Sequence, residues 1–201
     1  MDLQFQYDFE ATKAALLRLA AKGLPFDKYR ACKLLFLADR EHLLRFGRPI
    51  TGDNYNALPL GPTPSQTLTL LDQLDAVLVE GGELPQDPRV RELADAFEAS
   101  TNTEYPQYVA KVEPDPEALS ETDVMVLDDI AKRHGNAGFL DLKRLTHELK
   151  AYSSAWRQNE VRRKFPMRFE DFFADDPDKL DFLKELQQHQ FLKRTLAAPR
   201  D

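Results

Sequence analysis

Residues 27–46, DKYRACKLLFLADREHLLRF, constrain this chain more than any other stretch. On a wheel at about 100° per residue, Ala31, Cys32, Leu35, Phe36, Ala38, Leu43 and Phe46 share one broad side. Leu34, Leu37 and Leu44 fall on the other, among Arg30, Lys33, Arg40, Glu41 and Arg45. A helix that is apolar nearly all round is a central one, wrapped by the rest of the chain. Its long charged side chains are expected to run outward along their stems. Asp39 and His42 land inside the apolar sector, close enough on a helix to touch. A carboxylate in such a place needs a hydrogen-bonding partner. Two readings stay open. One is an acid–imidazole pair that orients a general base, as a hydrolase-like enzyme would use. The other is structural: a buried pair, or Asp39 accepting from backbone N–H groups of the loop 48–56. No nucleophile stands at a recognisable spacing, since Cys32 faces the core and no G-x-S-x-G occurs, so the structural reading is preferred.

Around this helix the chain reads as further helices. Residues 8–22 form an Ala- and Leu-rich helix closed by Gly23. Others are expected over about 63–74, 89–99, Ser120 to Gly135, 139–149 and 177–196. Ser120-x-x-Asp123 has the form of a capping box. The start of the third helix, Gly61-Pro-Thr-Pro-Ser65, offers prolines and hydroxyls to its first turn. TEYPQYVAKVEP, residues 103–114, alternates as a short strand, with residues 54–60 as its expected antiparallel partner. The fold class is mainly α (α+β): a compact helical domain, residues 1–201, with a buried central helix and a short antiparallel β pair.

Charge narrows the functional classes. Lysine and arginine number 27 against 34 aspartates and glutamates, a net charge of −7. Broad nucleic-acid binding needs a concentrated basic surface, so a DNA-binding autoregulator stands only as an alternative. The single cysteine forms no internal disulfide, no secretory signal opens the sequence and no apolar run approaches membrane length. A reducing, cytoplasmic setting without membrane contact is expected. None of His42, His134, His147 and His189 pairs at a metal-binding spacing, and neither metal nor cofactor is expected. His134 stands by Gly135 at a helix end, where a cation eases the carbonyl dipole.

The run KLLFLADREHLLRFGRPITGDNYNALPLGPTPS, residues 33–65, resembles the signature of the Panacea domain, the domain of SocA-type antitoxins. In that pattern a lysine-led helix carries an acid after an aliphatic-aromatic run. An aromatic-Gly-Arg-Pro turn follows, then Ile-Thr-Gly-Asp, an aromatic on a strand and a Gly-Pro pair opening a helix. Lys33, Phe36, Asp39, Phe46, Gly47, Arg48, Pro49, Gly52, Asp53, Tyr55, Gly61 and Pro62 match it, and His42 lies among them. Leu119-Ser120, Gly135, Leu145-Thr-His147 and Trp156 extend the likeness, though eight residues separate His147 from Trp156 where the family usually has a few. The Panacea-like core spans 10–165, leaving an acidic segment and helix over 166–201. The resemblance implies a protein that silences a cognate toxin by contact, with or without delivery to a protease, and does no chemistry of its own. The motif residues are then a scaffold: Gly47 ends the helix, Gly52-Asp53 turns into a strand, and Gly61-Pro62 turns into the next helix. Neither a Walker nor a dinucleotide glycine pattern is present.

One dense basic cluster remains: Arg157, Arg162, Arg163, Lys164 and Arg168, interleaved with Trp156, Phe165 and Phe169. It is a candidate contact for an acidic toxin surface or for a nucleic-acid strand stacked on the aromatics, or else a solvated face balancing the acidic run 170–181, with the solvated face preferred and a protein partner placed ahead of nucleic acid. In that run most acids are read as helix-start residues, with Phe172 and Phe173 either anchoring that helix to the core or forming part of an interface.

Overall fold

Asp27 accepts a hydrogen bond from the Arg30 amide at 2.8 Å, and Gly47, at φ +77°, closes the far end. Between them runs helix α2, Lys28–Phe46, the axis of a computed structural model that describes residues 2–23, 25–100, 105–158, 160–161 and 163–197. Every residue from Ala31 to Asp39 is buried, as the all-round apolar pattern requires. Phe46, at the last turn, stays 39% exposed and lays its ring on His42.

Around α2 pack α1 (Phe9–Ala20), α3 (Ser65–Leu78), α5 (Glu121–His134) and α6 (Phe139–Glu148). The expected capping box forms at Ser120 and Asp123. Helix α4, Pro88–Ala96, begins at its Asp87 cap and ends three residues before the expected 99. There Phe97 turns extended and starts a strand, because its ring is buried against Tyr108 across the pair.

Strand pairing corrects one expectation. Among the described residues, 54–60 do not pair with 105–114. Strand β1, Tyr55–Leu58, folds back on β2, Gly61–Pro64, with Tyr55 opposite Pro64 and Leu58 opposite Gly61. Strand β3, Phe97–Ser100, takes β4, Gln107–Ala110. Gly61, at φ +108°, makes the tight reversal after Leu60 possible, and a nearby partner costs less closure entropy than a distant one. Residues 61–64 are thus strand and not helix start. Their two prolines are tolerated because β2 is an edge, in the order β2-β1-β5, where β5 is Phe165–Pro166.

The short helix α7, Lys150–Ser153, leads toward β5. The acidic run then departs from its reading as helix-start residues. Phe169–Phe173 form a 3-10 turn whose Phe172 and Phe173 are buried, Phe172 against Phe36 and Tyr55. Glu170 accepts from the Leu3 amide, Arg40 pairs with Asp175 and Asp176, and Asp175 also accepts from the Lys150 amide. Only Asp178 and Asp181 attend the last helix, α8, Leu180–Ala197. Most buried apolar residues from Leu3 to Phe173 form one cluster, onto which Phe182, Leu183 and Leu186 of α8 pack, and Ala57, Tyr152 and Phe165 form a second, smaller one.

Candidate functional site

Asp39 sits in the middle of α2 with no exposed surface. Its carboxylate accepts from the Ile50 amide at 2.8 Å, the Thr51 amide at 2.9 Å, the Thr51 hydroxyl and the Tyr55 hydroxyl at 2.9 Å. Burial lifts its pKa to about 6, against the lowering pull of these donors. Four donors of the corner that follows α2 converge on the carboxylate and favour its ionised form. Asp39 and His42 do not bond to each other. The backbone reading of Asp39 holds, and the acid–imidazole pair of the enzyme reading is not formed.

His42 turns the other way. Its Nδ1 lies 2.7 Å from the Arg48 carbonyl oxygen, which can only accept, so Nδ1 carries a proton. Its Nε2 lies 3.0 Å from both Thr122 Oγ1 and Asp123 Oδ1. A neutral ring accepts there from the hydroxyl, and a charged one donates to the carboxylate. Burial raises the Asp123 pKa, but hydrogen bonds from His42, Arg48 and Ser120 together outweigh it and hold the carboxyl well below its usual range. Arg48 adds its own 2.8 Å bond to Asp123. The helix cap of α5 is thereby locked to the end of α2.

Asp53 supplies the cap that the prolines of 61–64 do not. It accepts from the amides of Gln66 and Thr67 at 3.0 and 2.8 Å, and from the Thr67 hydroxyl. Pro64, at the cap position of α3, makes no side-chain cap bond. Gly52, at φ +65°, lets the backbone of Gln6 cross directly over the corner.

Lys33 departs from the outward path expected of it. It is 1% exposed, donates to the Pro62 carbonyl at 2.7 Å and lies 4.9 Å from the centre of the Tyr29 ring. Among the described residues no carboxylate stands within ion-pair distance of it. Burial lowers its pKa to about 8. An unfolded lysine titrates near 10.5, so folding expels its proton between the two values and stability climbs with pH across that window. Relative to Lys33→Met, the wild type is expected to gain about 2 kcal/mol between pH 7.5 and 9.5 in urea unfolding. A flat difference would show an amine that water still reaches.

The basic cluster divides. Trp156 is half-buried, stacked at 5.9 Å and 14° on Tyr152 and edge-on to Phe165. Tyr152 in turn faces His147 at 4.2 Å, so one ring joins the two residues that the sequence sets apart. Arg157, Arg163 and Lys164 are exposed and reach no carboxylate among the described residues, whereas Arg168 meets Glu170 and Asp2 at 3.5 Å. Balancing by the acidic run therefore holds for Arg168 and not for the other three. Arg162 lies outside the described residues. Phe165 and Phe169 are core.

These groups serve their own chain before any substrate. The Cys32 thiol is buried, which pushes its pKa up to about 12 and leaves it protonated at neutral pH. Among the described residues no three His, Cys, Asp or Glu side chains are grouped to hold a metal ion, and no helix is long and apolar enough to cross a membrane. Sequence reasoning missed Thr51, Thr67 and Thr122, which answer Asp39, Asp53 and His42. The signal available was a hydroxyl in each loop or first turn facing a buried ionisable group.

A family model described as antitoxin SocA-like, Panacea domain, matches residues 32–153, from α2 through α7. No curated protein and no solved structure matches the chain.

Proposed function

The chain belongs to the SocA-like Panacea family, and on that premise we propose that it is an antitoxin which silences a cognate toxin by direct contact in the cytoplasm. The match over residues 32–153 carries this reading. A contact mechanism is supported by the state of the motif: Asp39, His42, Asp53 and Lys33 are buried and turned toward their own chain. A scaffold of that kind presents a surface and offers no group to a substrate. The exposed Arg157, Arg163 and Lys164 give the toxin's acids a place to meet this otherwise acidic chain. The same contact would also serve delivery of the toxin to a protease.

Reconstitution separates the two routes. The chain is purified together with the product of the adjoining reading frame, and the toxic activity of that product is titrated without any protease. Loss of activity at about one equivalent is expected. Activity that survives until an ATP-dependent protease is added would instead assign the chain to delivery. A product that neither binds nor harms the host would remove the antitoxin reading.

A further inference from the structure

A cleft of about 630 Å³ opens beside the first turn of α2, walled by Tyr29, Leu60, Tyr105, Pro106, Phe139 and Leu142. Leu60 and Phe139 are 47% and 46% exposed, so two large apolar side chains face water around one hollow. The charged groups on its rim are already engaged. Asp27 caps α2, Asp75 accepts from Tyr108 at 2.6 Å and pairs with Lys28, and Arg30 donates to the carbonyls of Gly135 and Ala137. Apart from the buried Arg30 Nε, which finds no partner among the described residues, what the cleft offers is apolar area, in the form that anchor residues of a partner fill.

A series of contacts that passes through the buried Tyr152 leads from the edge of the cleft to the basic loop. Next to Leu60, a Cβ on Gly61 would lie 3.2 Å from His147; His147 stacks near Tyr152, and Tyr152 on Trp156. Beyond Trp156 stand Arg157, Arg163 and Lys164 without carboxylate partners among the described residues. Lys33, buried under Tyr29 and without a carboxylate partner among the described residues, adds positive potential between the two ends. On a chain of net charge −7, an acidic partner is repelled from most faces and steered to this one.

We propose that this strip is the toxin-docking face, taking a toxin segment that sets a large apolar side chain in the cleft and carboxylates against Arg157, Arg163 and Lys164. The assignment rests on the antitoxin reading, and its test keeps the two apart. The probe is the product of the adjoining reading frame, its binding to the full chain measured by calorimetry. Phe139→Asp and the double change Arg163→Glu with Lys164→Glu are each expected to weaken Kd by about tenfold or more. Val112→Asp, a 50% exposed position in a separate hollow beside α1 and α4, is expected to stay within about twofold. Tyr105→Asp replaces Phe139→Asp if the latter lowers the melting temperature. Wild-type binding that every strip variant retains overturns the docking face and leaves the antitoxin reading standing. Absence of wild-type binding overturns both. Equal loss in Val112→Asp and the strip variants also overturns the face, because the effect is then not local.

Discussion

Asp39→Ala is expected to remove about 3 to 5 kcal/mol of stability at pH 7, read from the urea midpoint. The change leaves the amides of Ile50 and Thr51 and the hydroxyls of Thr51 and Tyr55 without their acceptor inside the core. Each orphaned donor costs about 1 to 3 kcal/mol, and four around one centre relax together, so the sum falls short of additive. The ionised carboxylate is itself disfavoured by burial, as its raised pKa records, yet removing it is worse than keeping it. Against a total of about 5 to 15 kcal/mol for an ordinary domain, the loss brings the protein near its folding threshold. A midpoint within about 1 kcal/mol of wild type would mean the corner satisfies its donors elsewhere.

Gly52→Ala is the second large effect, about 3 kcal/mol or more in the same assay. An L side chain at φ +65° costs about 1 to 2 kcal/mol by itself. Here the added Cβ also overlaps the carbonyl oxygen of Gln6, with its carbon 2.8 Å away, and neither belongs to a side chain that can swing aside. The N-terminal strand of chain must lift, which breaks the 2.8 Å bond from the Asp8 amide to the Thr51 carbonyl that docks α1 on the corner. Gly23→Ala isolates the two contributions: φ is +68° there, but nothing lies within 4 Å of the new Cβ. It is expected to lose about 1 kcal/mol. Equal losses at the two positions would show that the contact with Gln6 gives way.

How much of this was legible depended on the range of each interaction. The wheel of 28–46 exposed the burial of α2, Asp39 and His42, because a helix repeats its environment every few residues. Ser120 and Asp123 were readable as a capping box from their three-residue spacing. The partner choice of Asp39 was not. The sequence offers both His42 and the amides of loop 48–56, and the contest between one imidazole and four donors is settled in three dimensions. Asp53 capping α3 across more than a dozen residues left no local mark, and proline-rich Gly61–Pro64 looked like a helix entry until an edge strand made its missing N–H groups harmless. Lys33 was the clearest reversal. Its long stem suits a surface, and only the Pro62 carbonyl and the Tyr29 ring give its amine a place inside. Phe172 reaches Phe36 of α2 from far along the chain, a contact that no periodicity encodes.

Toxin silencing by contact is tested most directly in living cells. The adjoining reading frame is induced alone, with this chain, and with Asp39→Ala, while colony counts are taken. Arrested growth alone, full rescue by the intact chain, and weak rescue by the destabilised variant are the expected results. Growth that is unaffected by the neighbour's expression, or arrest that the intact chain does not relieve, would contradict the account.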